Sequence, residues 1–115
     1  MNLTKGEDTK IITPKAVYRD FNVNNFHIYN QFTIRAKNRN ELKNYLSQKD
    51  IGSDIYYPVP FHQQECFNYL NLNNSDFPVA NELANSVLSL PIFPELTESQ
   101  IAYVAEIIAE FYYKN

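Results

Sequence analysis

Pro58 and Pro60 stand a residue apart inside GSDIYYPVPFHQQECF, residues 52–67, and no other feature limits the folding of this chain so sharply. Each ring fixes its own φ and removes an amide hydrogen. The stretch is therefore too stiff for a helix and too poor in donors for a central strand. Two tyrosines, Tyr56 and Tyr57, precede the prolines, and one of only two histidines, His62, follows them. Such a segment reads as an extended loop whose side chains are presented to something.

The rest of the chain must supply the scaffold. Its 115 residues, 44% hydrophobic and 20% charged, have the balance of one folded domain. A chain this long buries about two thirds of its unfolded surface, enough for a single core. A formal charge of -3 speaks against a general nucleic-acid binder, which would show a basic stripe. One cysteine, Cys66, excludes an internal disulfide framework, and the MNLTKGEDTK start is no signal peptide. No apolar run reaches the length of a membrane span, so the expectation is a cytoplasmic protein.

Residues 1–25 are weakly patterned and read as a lead-in. In FHIYNQFTIRA, Phe26, Ile28, Phe32 and Ile34 fall on one side, with Asn30 interrupting them. That period of two predicts a strand with one buried face. NRNELKNYLSQKD predicts a short helix, capped by Asn38 with Glu41 three residues on, facing inward with Leu42, Tyr45 and Leu46. Gly52 is expected to supply the turn into Asp54–Tyr57, and QQECFNYL reads as a short helix. In DFPVANELANSVLSL, Pro78 suits a first helical turn, and Val79, Leu83 and Val87 make a helical stripe. LSLPIF reads as a strand ended by Pro94. The last helix carries the clearest signals. Thr97 and Gln100 form a capping box, Leu96 can staple onto Ile101, and Ile101, Val104, Ala105, Ile108 and Tyr112 recur at helical spacing. Together these predict an α+β fold, a small two-layer domain with a short, mostly antiparallel sheet covered by helices.

No complete active site can be assembled from these residues. His62 and Cys66 are four apart and would share a helix face, but two ligands fall short of the four, or three plus water, that zinc takes. A lone thiol beside a histidine is a weak case for a nucleophile. Two isolated glycines make no phosphate loop. Glu106 and Glu110 read as a solvated face, and Tyr103, Tyr112 and Tyr113 as core or rim aromatics rather than a base-stacking platform. The seven lysines sit in polar settings, none of them desolvated enough for Schiff-base work. On these residues alone the chain is a domain that binds or assists.

Three blocks, in order, resemble a known family: HIYNQFTIRA, then RNELKNYLSQKDIGSDIYYPVPFHQQECF, then DFPVANELANSVLSLPIFPELTESQIAYV. They are similar to the C-terminal domain of the DegT/DnrJ/EryC1/StrS sugar aminotransferases over residues 26 to about 113, with the proline spacing kept at Pro58, Pro60, Pro78, Pro91 and Pro94. The departures are Asn30 and Phe32, where the family usually has His and Tyr, Tyr56 in place of the histidine of a His-Tyr-Pro triplet, and Asn81 just before Glu82. The resemblance implies a pyridoxal-phosphate enzyme that aminates keto sugars carried on nucleotides, for polysaccharide precursors. It also implies that the cofactor and its lysine belong to a large N-terminal domain missing here. This chain would hold no cofactor or metal, and would work with that large domain and a homodimer partner, not with nucleic acid or membrane. It would be a severed C-terminal domain, inactive alone, with residues 26–115 as the domain proper. By the same resemblance Tyr57 is the foremost candidate substrate contact, with Tyr56 and His62 beside it; His62 as a structural brace is an equal alternative. The runner-up is a free-standing α+β binding or regulatory module that has lost the chemistry.

Overall fold

The strongest strand former, FTIRA, becomes the central strand of a three-stranded antiparallel sheet in the computed structural model, which describes residues 9–114. Strand β1 is Ile11–Ile12, β2 is Phe32–Ala36 and β3 is Val87–Leu90, in the spatial order β1-β2-β3. The register pairs Phe32 with Leu90, Ile34 with Leu88 and Thr33 with Ser89. Because side chains alternate along a strand, Phe32, Ile34, Ala36, Leu88 and Leu90 share one face, while Thr33, Arg35, Val87 and Ser89 share the other. The predicted α+β fold is the fold observed.

The first face is closed by two helices. Helix α1 spans Arg39–Gln48 and helix α3 spans Glu98–Tyr113. Leu42 and Leu46 of α1 are wholly buried, as read from the sequence, with Tyr45 partly so. From α3, Ile107 and Ile108 enter the same core, with Val104, Phe111 and Tyr112 packed against it. The capping box is present: the Gln100 amide donates to the Thr97 hydroxyl and the Thr97 amide to the Gln100 side chain. Ile101 and Ala105, expected to face inward, are instead exposed along an apolar groove of about 350 Å³ that Leu96 also lines. Ile107, outside the expected stripe, takes the buried place.

Helix α2, Pro78–Ser86, lies on the second face with Pro78 in its first turn. The stripe expected there faces away from the core. Val79 is exposed, Leu83 is on the margin, and Val87 already belongs to β3. Only Ala84 of α2 is buried. This helix covers little of the sheet, so its apolar residues have no core to enter.

The other differences from the sequence reading have local causes. The strand begins at Phe32, not Phe26. Its β3 partner ends at Leu90, and Pro91, next in line, has no amide to extend the ladder. Residues 26–31 therefore turn away, with Tyr29 at φ 46 and Ile28 82% exposed. Asn30 is exposed and needs no buried partner. For the same reason β3 stops before Pro91 rather than running on to Pro94. Asn38 is not a side-chain cap: it adopts φ 51, ψ 44 and turns the chain from β2 into α1, a left-handed conformation asparagine tolerates. After α1 the turn is made by Asp50 at φ 59, not by Gly52. The Asp50 amide bonds Ser47 O and the Ile51 amide bonds Leu46 O, a Schellman end sealed by buried Leu46 and Ile51. QQECFNYL is not one α-helix but two 3-10 segments, Phe61–Gln63 and Glu65–Leu70. The lead-in also contributes more than its patterning suggests, since Ile11 of β1 is in the core.

Candidate functional site

The segment Asp54–His62 is fastened at both ends. At its start Asp54 makes a two-bond bridge to the free edge of β3, its amide donating to Ser89 O at 3.0 Å and the Ser89 amide returning to Asp54 O at 2.8 Å. The Asp54 carboxylate accepts the Ile55 amide at 2.8 Å. Pro60 is extended at φ -59, ψ 151, and its carbonyl accepts the Gln63 amide as the 3-10 segment begins. At its far end Gln63 donates to the Asn81 side chain at 2.8 Å, and Asn81 donates onward to Asn74 O at 2.7 Å. One residue of α2 thus ties the loop to the segment before that helix. Asn81 was legible in the sequence only as a departure from a pattern.

Below this loop lies an open cleft of about 540 Å³ on the second face of the sheet. It is lined by Tyr57, Phe61 and His62 of the loop and by Phe77, Leu83, Val87 and Thr33. Tyr57 is 76% exposed, so its hydroxyl is presented rather than packed. His62 is half-buried and stacks on Phe77, with ring centroids 4.6 Å apart and planes 29° from parallel. Its Nε2 is buried and has no hydrogen-bond partner among the described residues. Thr33 shares a 2.8 Å hydrogen bond with the Ser89 hydroxyl.

Tyr57 and His62 therefore meet, while Tyr56 does not join them. Tyr56, at a bend in the chain, lines a neighbouring, more polar cleft of about 510 Å³ with Asn30, Gln31, Ser53 and Asp54. Asn30 and Tyr56 share that second cleft. Cys66 and His62 share no α-helical face, because extended Gln64 separates their two 3-10 segments. Cys66 is exposed, and among the described residues no group of three or more His, Cys, Asp or Glu is placed to hold a metal ion.

Two arginines went unremarked in the sequence. Buried Arg39, the first residue of α1, donates to Val87 O at 2.7 Å and Ala84 O at 3.0 Å, and its Nε bonds the Asn40 side chain. It places a cation on the orphan carbonyls at the end of α2, where a helix favours positive charge. Arg35 is ion-paired with Glu82 of α2, which fixes the helix over the sheet. Neither signal is local: each partner lies more than forty residues away in the sequence.

None of the six described lysines is buried, and none lines either cleft beside the loop. Lys49 lies over the Tyr45 ring, and Lys114 is paired with Glu110 at 2.9 Å.

The family model of the DegT/DnrJ/EryC1/StrS aminotransferases matches residues 6–109. The chain belongs to this family. The Geobacillus stearothermophilus protein described as a pleiotropic regulatory protein is 43% identical over 102 residues, which are 89% of this chain and 26% of that protein. The UDP-N-acetyl-3-dehydro-alpha-D-glucosamine 3-aminotransferase of Acidithiobacillus ferrooxidans is 48% identical over 82 residues, 71% of this chain and 22% of that one. Among solved structures, a Brucella abortus aminotransferase of the family superposes with a TM-score of 0.65 at 33% identity, covering 70% of this chain and 22% of its own. Streptomyces venezuelae DesV, solved with a ketimine intermediate, gives 0.66 at 33% identity. The chain thus spans only about a quarter of the length of these DegT/DnrJ/EryC1/StrS relatives. Among its described residues no helix is long and apolar enough to cross a membrane.

Proposed function

We propose that this chain is the C-terminal part of a cytoplasmic, pyridoxal-phosphate-dependent aminotransferase that transfers an amino group to a nucleotide-linked keto sugar for glycan precursors. The observation that carries the reading is the family match over residues 6–109, together with relatives named for amination of UDP- and dTDP-linked sugars. Within it, residues 26–115 are the aminotransferase C-terminal domain and residues 1–25 the lead-in that lends it an edge strand. Pyridoxal phosphate belongs to a large domain of the complete enzyme, paired as a homodimer. The contribution of this chain is to the substrate.

Its loop suits that task physically. Prolines and the Asp54–Ser89 bridge fix the path of Asp54–Pro60 before any ligand arrives, which reduces the backbone entropy lost on binding. Tyr57 offers its exposed hydroxyl as a donor to the substrate. Tyr56 offers a second hydroxyl, to a phosphate oxygen, without the positive charge a histidine could carry. His62, stacked on Phe77, braces the loop. Two or three neutral hydrogen bonds contribute about 1 kcal/mol each, against several kcal/mol lost on association. Affinity of the isolated chain for a nucleotide sugar is accordingly millimolar or weaker.

The test is a chimera in which residues 26–113 replace the corresponding segment of the Acidithiobacillus ferrooxidans aminotransferase. We expect a folded enzyme that retains amination of its nucleotide sugar. Tyr57→Phe should raise KM several-fold without changing the cofactor spectrum, and His62→Ala should lower Tm. A well-folded chimera that binds cofactor but transfers no amino group would overturn the proposal.

A further inference from the structure

We propose that His27 and Tyr29 form a pH-sensitive turn, which sets where Asn30 and Gln31 stand on the polar cleft they share with Tyr56. Six non-glycine residues among those described have positive φ: Asn22, Asn25, Tyr29, Asn38, Asp50 and Asn71. Five are Asn or Asp, which tolerate the left-handed region; Tyr29, at φ 46, is the sixth. A bulky residue keeps such a backbone only where its surroundings hold it there. The Tyr29 amide donates to Nδ1 of His27, two residues earlier, at 2.9 Å. The two rings lie with centroids 4.0 Å apart, and the Tyr29 ring stacks in turn on Phe32, the first residue of β2, at 6.1 Å. A side-chain acceptor that takes the amide two residues on is the bond of an Asx turn, normally made by an Asp or Asn oxygen. Here an imidazole nitrogen stands in for that oxygen.

The substitution makes the bond conditional on a proton. An asparagine oxygen accepts at any pH, whereas Nδ1 accepts only while it carries no hydrogen. Protonated, it becomes a donor facing another donor, and the bond is lost. The groups around the ring offer no replacement. Lys15 and Tyr18 line the same recess as His27, and Arg19 lies over the adjoining Phe26 ring, 5.7 Å from its centroid. Among the described residues no carboxylate lines that recess, so nothing there clamps the imidazolium in its place. Tyr29 is then left in a left-handed backbone with only its ring contacts to hold it, and it relaxes toward negative φ. Phe32 stays pinned by its pairing with Leu90, so the movement is taken up by Asn30 and Gln31 between them. The turn behaves so whatever the cleft binds, and its failure leaves the aminotransferase reading untouched.

Nuclear magnetic resonance of the isotope-labelled chain, titrated from about pH 8 to about pH 5, tests the switch. At the upper end Tyr29 should show the strong amide–Hα Overhauser effect within one residue that a positive φ produces. On acidification that signal should fade, and protection of the Tyr29 amide from exchange should drop roughly fivefold, the worth of one hydrogen bond. Both changes should share the midpoint of the His27 imidazole, and the Gln31 and Tyr56 amide shifts should follow it. The Ile34 and Leu88 methyl signals of the core should not move. His27→Asn, which restores an oxygen acceptor, should keep the positive-φ signal of Tyr29 across the whole range and abolish the response at Gln31 and Tyr56. A Tyr29 signal that survives protonation of His27, or that is missing at the upper pH, would overturn the switch. So would an acid response that persists in His27→Asn, or one in which the core methyl signals collapse together with Tyr29. Silent Gln31 and Tyr56 amides would overturn its link to the cleft.

Discussion

The two faces of the sheet differ in nearly every physical respect, although they are built from alternate residues of the same two strands. On one face Ile34 and Leu88 are sealed under Leu42, Leu46 and Ile108, with no polar side chain among them. On the other, the Thr33–Ser89 hydrogen bond and the Arg35–Glu82 ion pair take the place of a core, and aromatic rings stand open to solvent. The closed face carries stability, because Ile34, Leu42, Leu46 and Leu88 are removed from water on all sides. The open face is where the prolines, the paired tyrosines and the histidine are displayed. Fold and candidate site therefore occupy opposite sides of a single β-layer, and substitutions on one side should be nearly silent on the other.

The sharpest way to break that contrast is Ile108→Ala, at a side chain only 4% exposed. It should cost about 2–5 kcal/mol in denaturant unfolding, and a loss below 1 kcal/mol would show that α3 does not seal the core. Next comes Arg39→Met, which removes the link between α1 and the end of α2. Leaving the Ala84 and Val87 carbonyls without their charged donor should cost about 1.5–3 kcal/mol. Arg39→Lys should recover only part of it, since an ammonium cannot serve both carbonyls as a planar fork does. A full rescue by lysine would reduce the role of Arg39 to its charge.

Smaller effects come from the rim and from the open face. Tyr112 donates to Lys37 O at 2.6 Å, and Tyr112→Phe should cost about 1 kcal/mol. Burial holds the Tyr112 phenol up at about 12. As pH rises the unfolded chain loses this proton first, from near pH 10, so stability is full below that and declines toward pH 12. Alkaline unfolding titrations of Tyr112→Phe should lack this part of the decline; an unchanged slope would refute the assignment. Least of all, Phe61→Ala on the open face should move stability by no more than about 0.5 kcal/mol. A loss comparable to that of Ile108→Ala would mean that the open face is core after all.

What could be read without coordinates is what depends on near neighbours in the chain. The capping box of Thr97 and Gln100 needs residues three apart, Pro78 needs only its own fixed φ, and the inward set of α1 needs only helical spacing. The rigidity of the Pro58–Pro60 loop is equally local. The resemblance then reached the family, because the proline spacing and block order survive as a linear pattern. Tertiary structure decided the rest. Strand limits at Phe32 and Leu90 depend on which residue lies opposite, and Pro91 lies opposite the next position. Asn38 and Asp50 bend left-handed because the core fixes where α1 must begin and end, so a predicted cap became a turn and a predicted glycine turn fell to an aspartate. Arg39 finds its carbonyls only after α2 has docked. The separation of Tyr56 from Tyr57 and His62 follows from the bridge between Asp54 and Ser89, a hydrogen-bonded pairing across thirty-five residues that no local pattern encodes.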